Sequence, residues 1–360
     1  MPPTAQTAGL KRFPCKQCGA ILEYAVGTDT LKCRYCGATQ EIPKQDPAQI
    51  VEQDFLGTLS DLSTHAEMTD VTIVKCDSCA AEVTKPPEVT SLTCPYCNSN
   101  IVAQPMSKRI IRPHALLPFK VPSEQALKLF RDWVNSRWFA PNRLKEAATL
   151  QGRLAGIYVP YWTYDSDTVT HYSGLRGEFY YVTVGSGNNR RTEQRVRWYP
   201  ASGTVYNSFD DVLIVAGTSL PEKYVEKLDP WDLESLVPYT DDYLSGFRAE
   251  TYKMSLADGF ANAKVAMDPT IRSTICADIG GDTQQISSMD VSYNNITFKH
   301  LLLPVWVSAY RYGQKVFRFL VNARTGEVQG ERPYSPIKIA LAVIAGLIVA
   351  AIIAFFVNER

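Results

Sequence analysis

One cysteine pattern, written twice, constrains this chain more than anything else in it. Cys15, Cys18, Cys33 and Cys36 form a C-x2-C-x14-C-x2-C set, and Cys76, Cys79, Cys94 and Cys97 repeat it at the same internal spacing. The copies also agree outside the thiols. Leu31 and Leu92 stand two residues before the third cysteine, and Tyr35 and Tyr96 stand inside the second pair. A C-x-x-C segment makes a tight turn that aims two sulfurs at one centre. Two such turns offer four thiolates in a tetrahedron, which suits Zn2+ and matches zinc-ribbon spacing. A single pair would also serve as a redox dithiol; two quartets of equal spacing point to metal. Four sulfurs close the coordination shell and leave no place for water, so both Zn2+ ions are expected to be structural. Neither ribbon is expected to bury much apolar surface, so metal is expected to supply most of its folding free energy.

Thiolate sites need reduced cysteines, which argues for a cytosolic environment. The ninth cysteine, Cys276, shares a helical pattern with Ile271 and Ile275 and is expected to be a small buried hydrophobe. Lysine plus arginine and aspartate plus glutamate both number 37, so no net positive field recruits nucleic acid. Residues 1–12 hold no apolar stretch of signal-peptide length. Residues 339–357, by contrast, are uncharged and rich in Ile, Ala, Val and Phe. A helix of that length rises ~28 Å against a bilayer core of ~30 Å. This segment reads as a single-pass membrane anchor. Arg332 and Lys338 on its N-terminal flank favour a cytoplasmic body.

The expected fold class is α+β: two small zinc ribbons, a β-rich α+β body and one C-terminal transmembrane helix. Residues 1–11 read as a loose tail and 12–42 as the first ribbon, with a hairpin over 21–30 turning near Gly27. Residues 43–71 form a linker. Phe55, Leu59 and Leu62 mark a helix over 48–62, packed between the ribbons or lying on the surface. The second ribbon covers 72–104, the body 108–333 and the membrane helix 337–357. In the body, Ser123 is the expected N-cap of a helix whose face is Leu127, Phe130, Val134 and Trp138, and a short helix is expected over 142–150. Strands are expected at 156–170, 178–184, 193–199 and 211–216, the middle two flanking a turn at 185–189. A helical period runs from 248 to 278, with Pro269 as a kink or a new start and Gly280 and Gly281 as the stop. Strands follow at 296–299, 305–312 and 315–321, with Gly326 in a left-handed turn position. The stretch His114-Ala-Leu-Leu-Pro118 echoes His300-Leu-Leu-Leu-Pro304; edge strands sharing a proline are the expected cause, with internal duplication as the alternative.

Other polar groups read as structural. His65, His114, His171 and His300 are scattered, with no metal-spaced pair. Arg190, Arg191, Arg195 and Arg197 form the densest basic group, a solvated hairpin tip or a contact for phosphates of lipid or nucleic acid. Asp165 with Asp167, and Asp210 with Asp211, have no nucleophile or oxyanion donor beside them, so no catalytic residues are assigned. The chain lacks a phosphate-loop motif, a G-x-S-x-G elbow and an H-E-x-x-H pair. An enzyme is therefore not expected.

Further stretches carry a resemblance. Trp138-Phe-Ala-Pro141, Val159-Pro-Tyr-Trp-Thr-Tyr164 and the run from Phe298 through Leu303-Pro-Val-Trp306 to Asn322-Ala-Arg-Thr-Gly-Glu327 resemble bacterial tail-anchored double-zinc-ribbon proteins. Trp198-Tyr-Pro-Ala-Ser-Gly203, Phe209-Asp-Asp211 and Asp278-Ile-Gly-Gly281 fit the same pattern, so the likeness spans nearly the whole chain. Such proteins are often labelled primosomal protein N′ (replication factor Y) or transcription-factor-IIB-type zinc-finger proteins. The helicase motifs that the first label implies are absent here. The resemblance implies a membrane anchor working with phage-shock-protein A-like or flotillin-like partners in envelope stress, and it supplies no catalytic residue. The expected function is a membrane-bound adaptor. The alternative is a nucleic-acid-binding zinc-ribbon protein, supported by Lys11, Arg12, Lys16, Lys32 and Arg34 around the first site.

Overall fold

Three long strands, Ala155–Val184, Arg191–Val215 and Thr283–Tyr312, organise the chain. The structure is a computed structural model that describes residues 13–61, 68–84, 91–97, 99–102, 105–141, 154–187, 190–312 and 315–358. The first long strand is central. It pairs antiparallel with the second from Tyr161↔Val215 to Val184↔Arg191, and with the third from Ala155↔Val307 to Gly177↔Thr283. Six short strands complete a mixed sheet of nine.

Each long strand replaces segments that the sequence pattern divides. The expected strands 156–170 and 178–184 are one, as are 193–199 with 211–216, and 296–299 with 305–312. Alternation fades midway because one face of the sheet is solvated there: Asp167, His171 and Ser173 are exposed while Ser166, Thr168 and Thr170 are buried. The ladder continues because backbone pairing needs no apolar side chain. Register slips opposite Asp165 and Ser166 on both sides, and Asp211 and Asn295 take positive φ (52° and 50°) at those slips. These paired bulges divide a sheet half covered on both faces from a half covered on one.

Pro160 and Pro304 are not on edge strands, contrary to the sequence reading. Pro160 lies where the neighbour on one side changes from Arg248–Ala249 to the second long strand, and Pro304 where it changes from Ala115–Leu116 to Lys315–Asn322. No ladder bond from the missing N–H is needed at such a gap. Each proline's carbonyl still accepts, from Ala216 N and Ala323 N respectively. The echoed segments pair with one another in parallel, Ala115↔Leu301 and Leu116↔Leu302.

The solvated half is covered on its other face by one helix, Leu256–Ile279. It starts later than the period suggests because Arg248–Ala249 joins the sheet and Ser255 caps the helix, its Oγ accepting from Asp258 N at 3.1 Å. It runs unbroken through exposed Pro269 and stops at Gly280, whose φ is 66°. Phe260, Ala263, Met267, Ile271 and Ile275 face the strands; Cys276 is only half-buried. The helix Ser123–Asn135 begins at Ser123 itself, with Pro122 in the cap position, and ends before Trp138, which is 74% exposed rather than part of the buried face. The linker helix, described over Phe55–Asp61, starts at Phe55 rather than 48, because Gln53–Asp54 pairs with Phe298 and Thr297 and Asp54 Oδ2 accepts from Gly57 N. Its Phe55 packs on Phe260 and Tyr164 of the body, not between the cysteine units. The expected helix at 142–150, the tail 1–11 and Leu62 lie outside the described residues.

Both cysteine units are built into the body. In the first, strands Leu22–Tyr24, Thr30–Cys33 and Thr39–Glu41 bury Leu22, Tyr24, Leu31 and Ile42 in one core with Phe119, Phe130 and Trp306. The second buries Val74, Val83, Leu92 and Ile101 with Leu117, Val159 and Leu303. The expectation that these units bury little apolar surface is corrected: they are short of apolar residues alone, and the body supplies the rest. The chain ends in the helix Pro336–Asn358, whose apolar span Pro336–Ala354 buries none of its residues.

Candidate metal centres and membrane helix

All eight predicted ligands fall into two clusters, Cys15, Cys18, Cys33 and Cys36 in one and Cys76, Cys79, Cys94 and Cys97 in the other, with all four sulfurs of each within 4.8 Å of one another. Four ligands at a Zn–S distance of ~2.3 Å would stand about 3.8 Å apart. The Cys15–Cys36 and Cys18–Cys33 sulfurs are 3.5 Å apart, and the Cys76–Cys97 and Cys79–Cys94 sulfurs 3.6 Å. None forms a disulfide. The donor set therefore fits two tetrahedral metal sites.

The turns prepare the first sulfur of a pair for metal. Backbone N–H groups of Cys36 and Tyr35 hold the Cys33 thiol down to about 6, and those of Cys18 and Gln17 lower Cys15. At Cys76 burial pushes upward, but the Ser99 hydroxyl and the N–H groups of Cys79 and Ser78 outweigh it and bring the thiol to about 6. The second sulfurs go the other way. At Cys18 an N–H from Ala20 draws the thiol down, yet the sulfurs of Cys33 and Cys36 prevail and push it up to about 12. Burial raises Cys79 to about 11. Cys94 departs from the pattern: it is the first sulfur of its pair, yet its burial outweighs the turn's N–H groups and raises it. Four adjacent sulfurs cannot all ionise unless a cation sits among them.

The residue after a C-x-x-C pair is left-handed in three turns: Gly19 at φ 75°, Gly37 at 76° and Ala80 at 57°. Ala80 alone carries a Cβ there. Ala80→Gly is expected to stabilise the second site by about 1 kcal/mol, read as a higher chelator concentration at half-removal of its metal.

A residue that the pattern did not single out joins this unit to the body. Glu250 is buried; Tyr96 Oη donates to its Oε2 at 2.9 Å, and Thr218 N and Ser219 N donate to its Oε1 at 3.1 and 2.9 Å. Arg318 Nε donates to Tyr96 O at 3.0 Å, and Lys253 Nζ to Ala80 O at 2.7 Å. The first unit is tied through Tyr24 Oη and Gly27 N, both donating to Phe119 O.

The carboxylates Glu52, Asp165 and Asp210 also cluster, but a buried ammonium already stands there. Lys299 Nζ is 2.7 Å from Asp211 Oδ1, 3.0 Å from Glu52 Oε1 and 3.9 Å from Asp165 Oδ2. Burial pushes Asp165 up to about 6. Lys299→Met is expected to cost about 3 kcal/mol near neutrality by stranding these acids. Asp165 titrates above an ordinary carboxyl, so the folded state holds its proton more tightly, and stability falls as the pH rises through about 6. Lys299 draws Asp165 down, so its removal raises that carboxyl further, and the penalty in Lys299→Met should shrink as the pH is lowered from neutrality, measured by denaturant titration.

The arginine group lies on a projecting hairpin. Past Gly177↔Thr283 the third strand gives out, and the first two continue as a two-stranded ribbon. Arg191 and Arg195 both pair with Glu193, and Arg197 lies 5.1 Å over the Tyr180 ring. Tyr181 and Trp198 are exposed beside them. The described histidines contact other protein groups. Burial holds His300 down to about 3, with its Nδ1 2.9 Å from Ile111 O; its backbone N–H donates to His114 Nδ1 at 2.9 Å. His171 contacts Thr204 at the surface, and His65 lies outside the described residues.

No family model matches the chain, and no solved structure matches it. It is 24% identical over 231 residues to a protein of Bacillus subtilis (strain 168) named "Uncharacterized protein YdjG", a match covering 64% of this chain and 66% of that protein. The chain thus spans just under two thirds of this relative's length.

Proposed function

We propose that this protein is a non-enzymatic adaptor, with Zn2+ in both cysteine units and its single helix in the cell membrane. The body faces the cytoplasm and recruits cytoplasmic partners there. One observation carries the reading: an apolar helix of bilayer length, with nothing buried along Pro336–Ala354, leaves a body that also holds two four-thiol clusters. Water would leave such a helix unsatisfied, and lipid would cover it. Soft thiolates in a tetrahedron favour Zn2+ over harder cations, and a full sulfur shell suits scaffolding rather than catalysis. Reduced thiols and the flanking Arg332 and Lys338 favour the cytoplasmic orientation. A membrane tether raises the effective concentration of any bound partner at the bilayer. The resemblance to tail-anchored double-zinc-ribbon proteins supports phage-shock-protein A-like or flotillin-like partners in envelope stress.

The test follows a partner captured with the full chain from solubilised membranes. In cells that partner should sit at the membrane with the full chain and disperse when residues 336–360 are removed. A partner that remains at the membrane with the truncated chain overturns the adaptor reading. The projecting hairpin favours a second reading, nucleic-acid binding of the primosomal-protein-N′-associated kind without a motor. Exposed Tyr181 and Trp198 could stack on bases beside Arg190 and Arg197. Tight binding by the full chain whose affinity falls linearly with log salt would replace the adaptor.

A further inference from the structure

The base of the membrane helix is not a free tether. Only residues 331–335 separate strand Val328–Gly330 from the helix, and Glu331 is tied back on both sides, its N–H donating to Arg318 O and its Oε2 accepting from Arg318 N. The first turn of the helix is then held by the loop that follows Ser123–Asn135. Ser335 N donates to Phe139 O at 2.8 Å, and Lys338 Nζ donates to Ala140 O at 2.8 Å. Ala140 is buried, so the loop is anchored from below.

This loop presents aromatic side chains outward at the base of the helix. Trp138 is 74% exposed, and Phe139 and Tyr334 are exposed beside it. Phe139 and Tyr334 line an apolar groove with Ile339, Ala342 and Val343 of the helix. Val343 lies about 7.5 Å along the axis from Lys338 at 1.5 Å per residue. The aromatic loop therefore stands beside the part of the helix that first enters hydrocarbon. Cations ring the same level: Arg137 lies 5.0 Å over Trp133, and Arg332 lies 5.9 Å over Trp133 and 5.4 Å over Tyr334.

Aromatic side chains with an apolar body and a polar edge concentrate at the headgroup level, and interfacial segments sink ~5–10 Å into the headgroup–acyl boundary. Arginine and lysine at that level meet anionic headgroups. We propose that Trp138 and Phe139 form a second membrane contact, a wedge seated at the lipid interface beside the helix. Arg137, Arg332 and Lys338 face anionic phospholipid there. The wedge fixes how the body stands on the bilayer, and it rests on the reading of Pro336–Asn358 as a membrane helix.

The test uses the full chain in vesicles of phosphatidylethanolamine and phosphatidylglycerol. The photo-crosslinker p-benzoylphenylalanine is placed at Trp138, at Ile344 and at Tyr206 in separate samples. Tyr206 is as exposed as Trp138, at 71%, but stands on the second long strand far along the sheet. Lipid adducts at 138 and 344 with none at 206 are expected. Adducts at 344 with none at 138 overturn the wedge and leave the membrane helix standing. No adducts at 344 overturn the membrane reading itself, and the wedge with it. Equal adducts at 138 and 206 show mere collision with vesicles and also overturn the wedge.

Discussion

Cys94→Ser is expected to lower the metal content of the full chain from two ions to one and to loosen a large part of the sheet with it. Cys94 is buried, and the turn it opens holds Tyr96, which is fully buried. With one sulfur gone the remaining three no longer close a shell, and metal binding worth ~10–16 kcal/mol in zinc-finger peptides is lost or sharply weakened. A whole domain is stable by only ~5–15 kcal/mol. The loss also spreads, because Tyr96 bonds both Glu250 and Arg318. Without Tyr96, Glu250 keeps two backbone donors but loses its third partner in a site where burial already raises its carboxyl. Arg318 belongs to strand Lys315–Asn322, so amide exchange should quicken there as well as in the second unit. Cys276→Ser, outside both quartets, should keep two ions. Elemental analysis with hydrogen exchange reads both effects; a Cys94→Ser protein that keeps two ions would remove the metal assignment at that site.

Ile344→Arg with Leu347→Arg should release the protein from membranes. Both residues lie mid-span and are exposed, so the body should tolerate the change. An arginine at the centre of a membrane helix costs ~2.5–3.5 kcal/mol on insertion scales, so the pair costs about 6 kcal/mol. The replaced side chains also forfeit their own favourable transfer. The variant should move to the soluble fraction on alkaline washing and still hold two metal ions. Retention in the washed membranes by the double variant would sink the anchor.

The sequence made the two extremes of the molecule legible and the middle much less so. Four sulfurs at fixed spacing need only local turns to meet, and the cysteines do meet as two quartets. An uncharged run of bilayer length declares itself by composition, and the helix is bare along that run. The long strands were divided because period-2 patterning records which face is dry, and beyond Asp165 one face is wet. Pairing there is set by the neighbouring strands, which no local window contains. Glu250 and Lys299 escaped for the same reason. Tyr96 is 154 positions from Glu250, and Glu52 is 247 from Lys299. Nothing beside either residue marks it. The echo around His114 and His300 was visible as a likeness, but that the two stretches lie side by side in parallel was not.

The pairing of Ala115–Leu116 with Leu301–Leu302 bears on how the protein is made. At ~5–20 residues per second, a ribosome needs about 10–40 s to travel from one stretch to the other. The cysteine units emerge first and can take up metal at once, yet the apolar surfaces they turn toward the body have no cover until the third long strand arrives. For that interval the nascent chain carries finished ends around an unfinished interior. It is then that a holdase would matter most, and synonymous codons that slow the stretch between would lengthen the exposure.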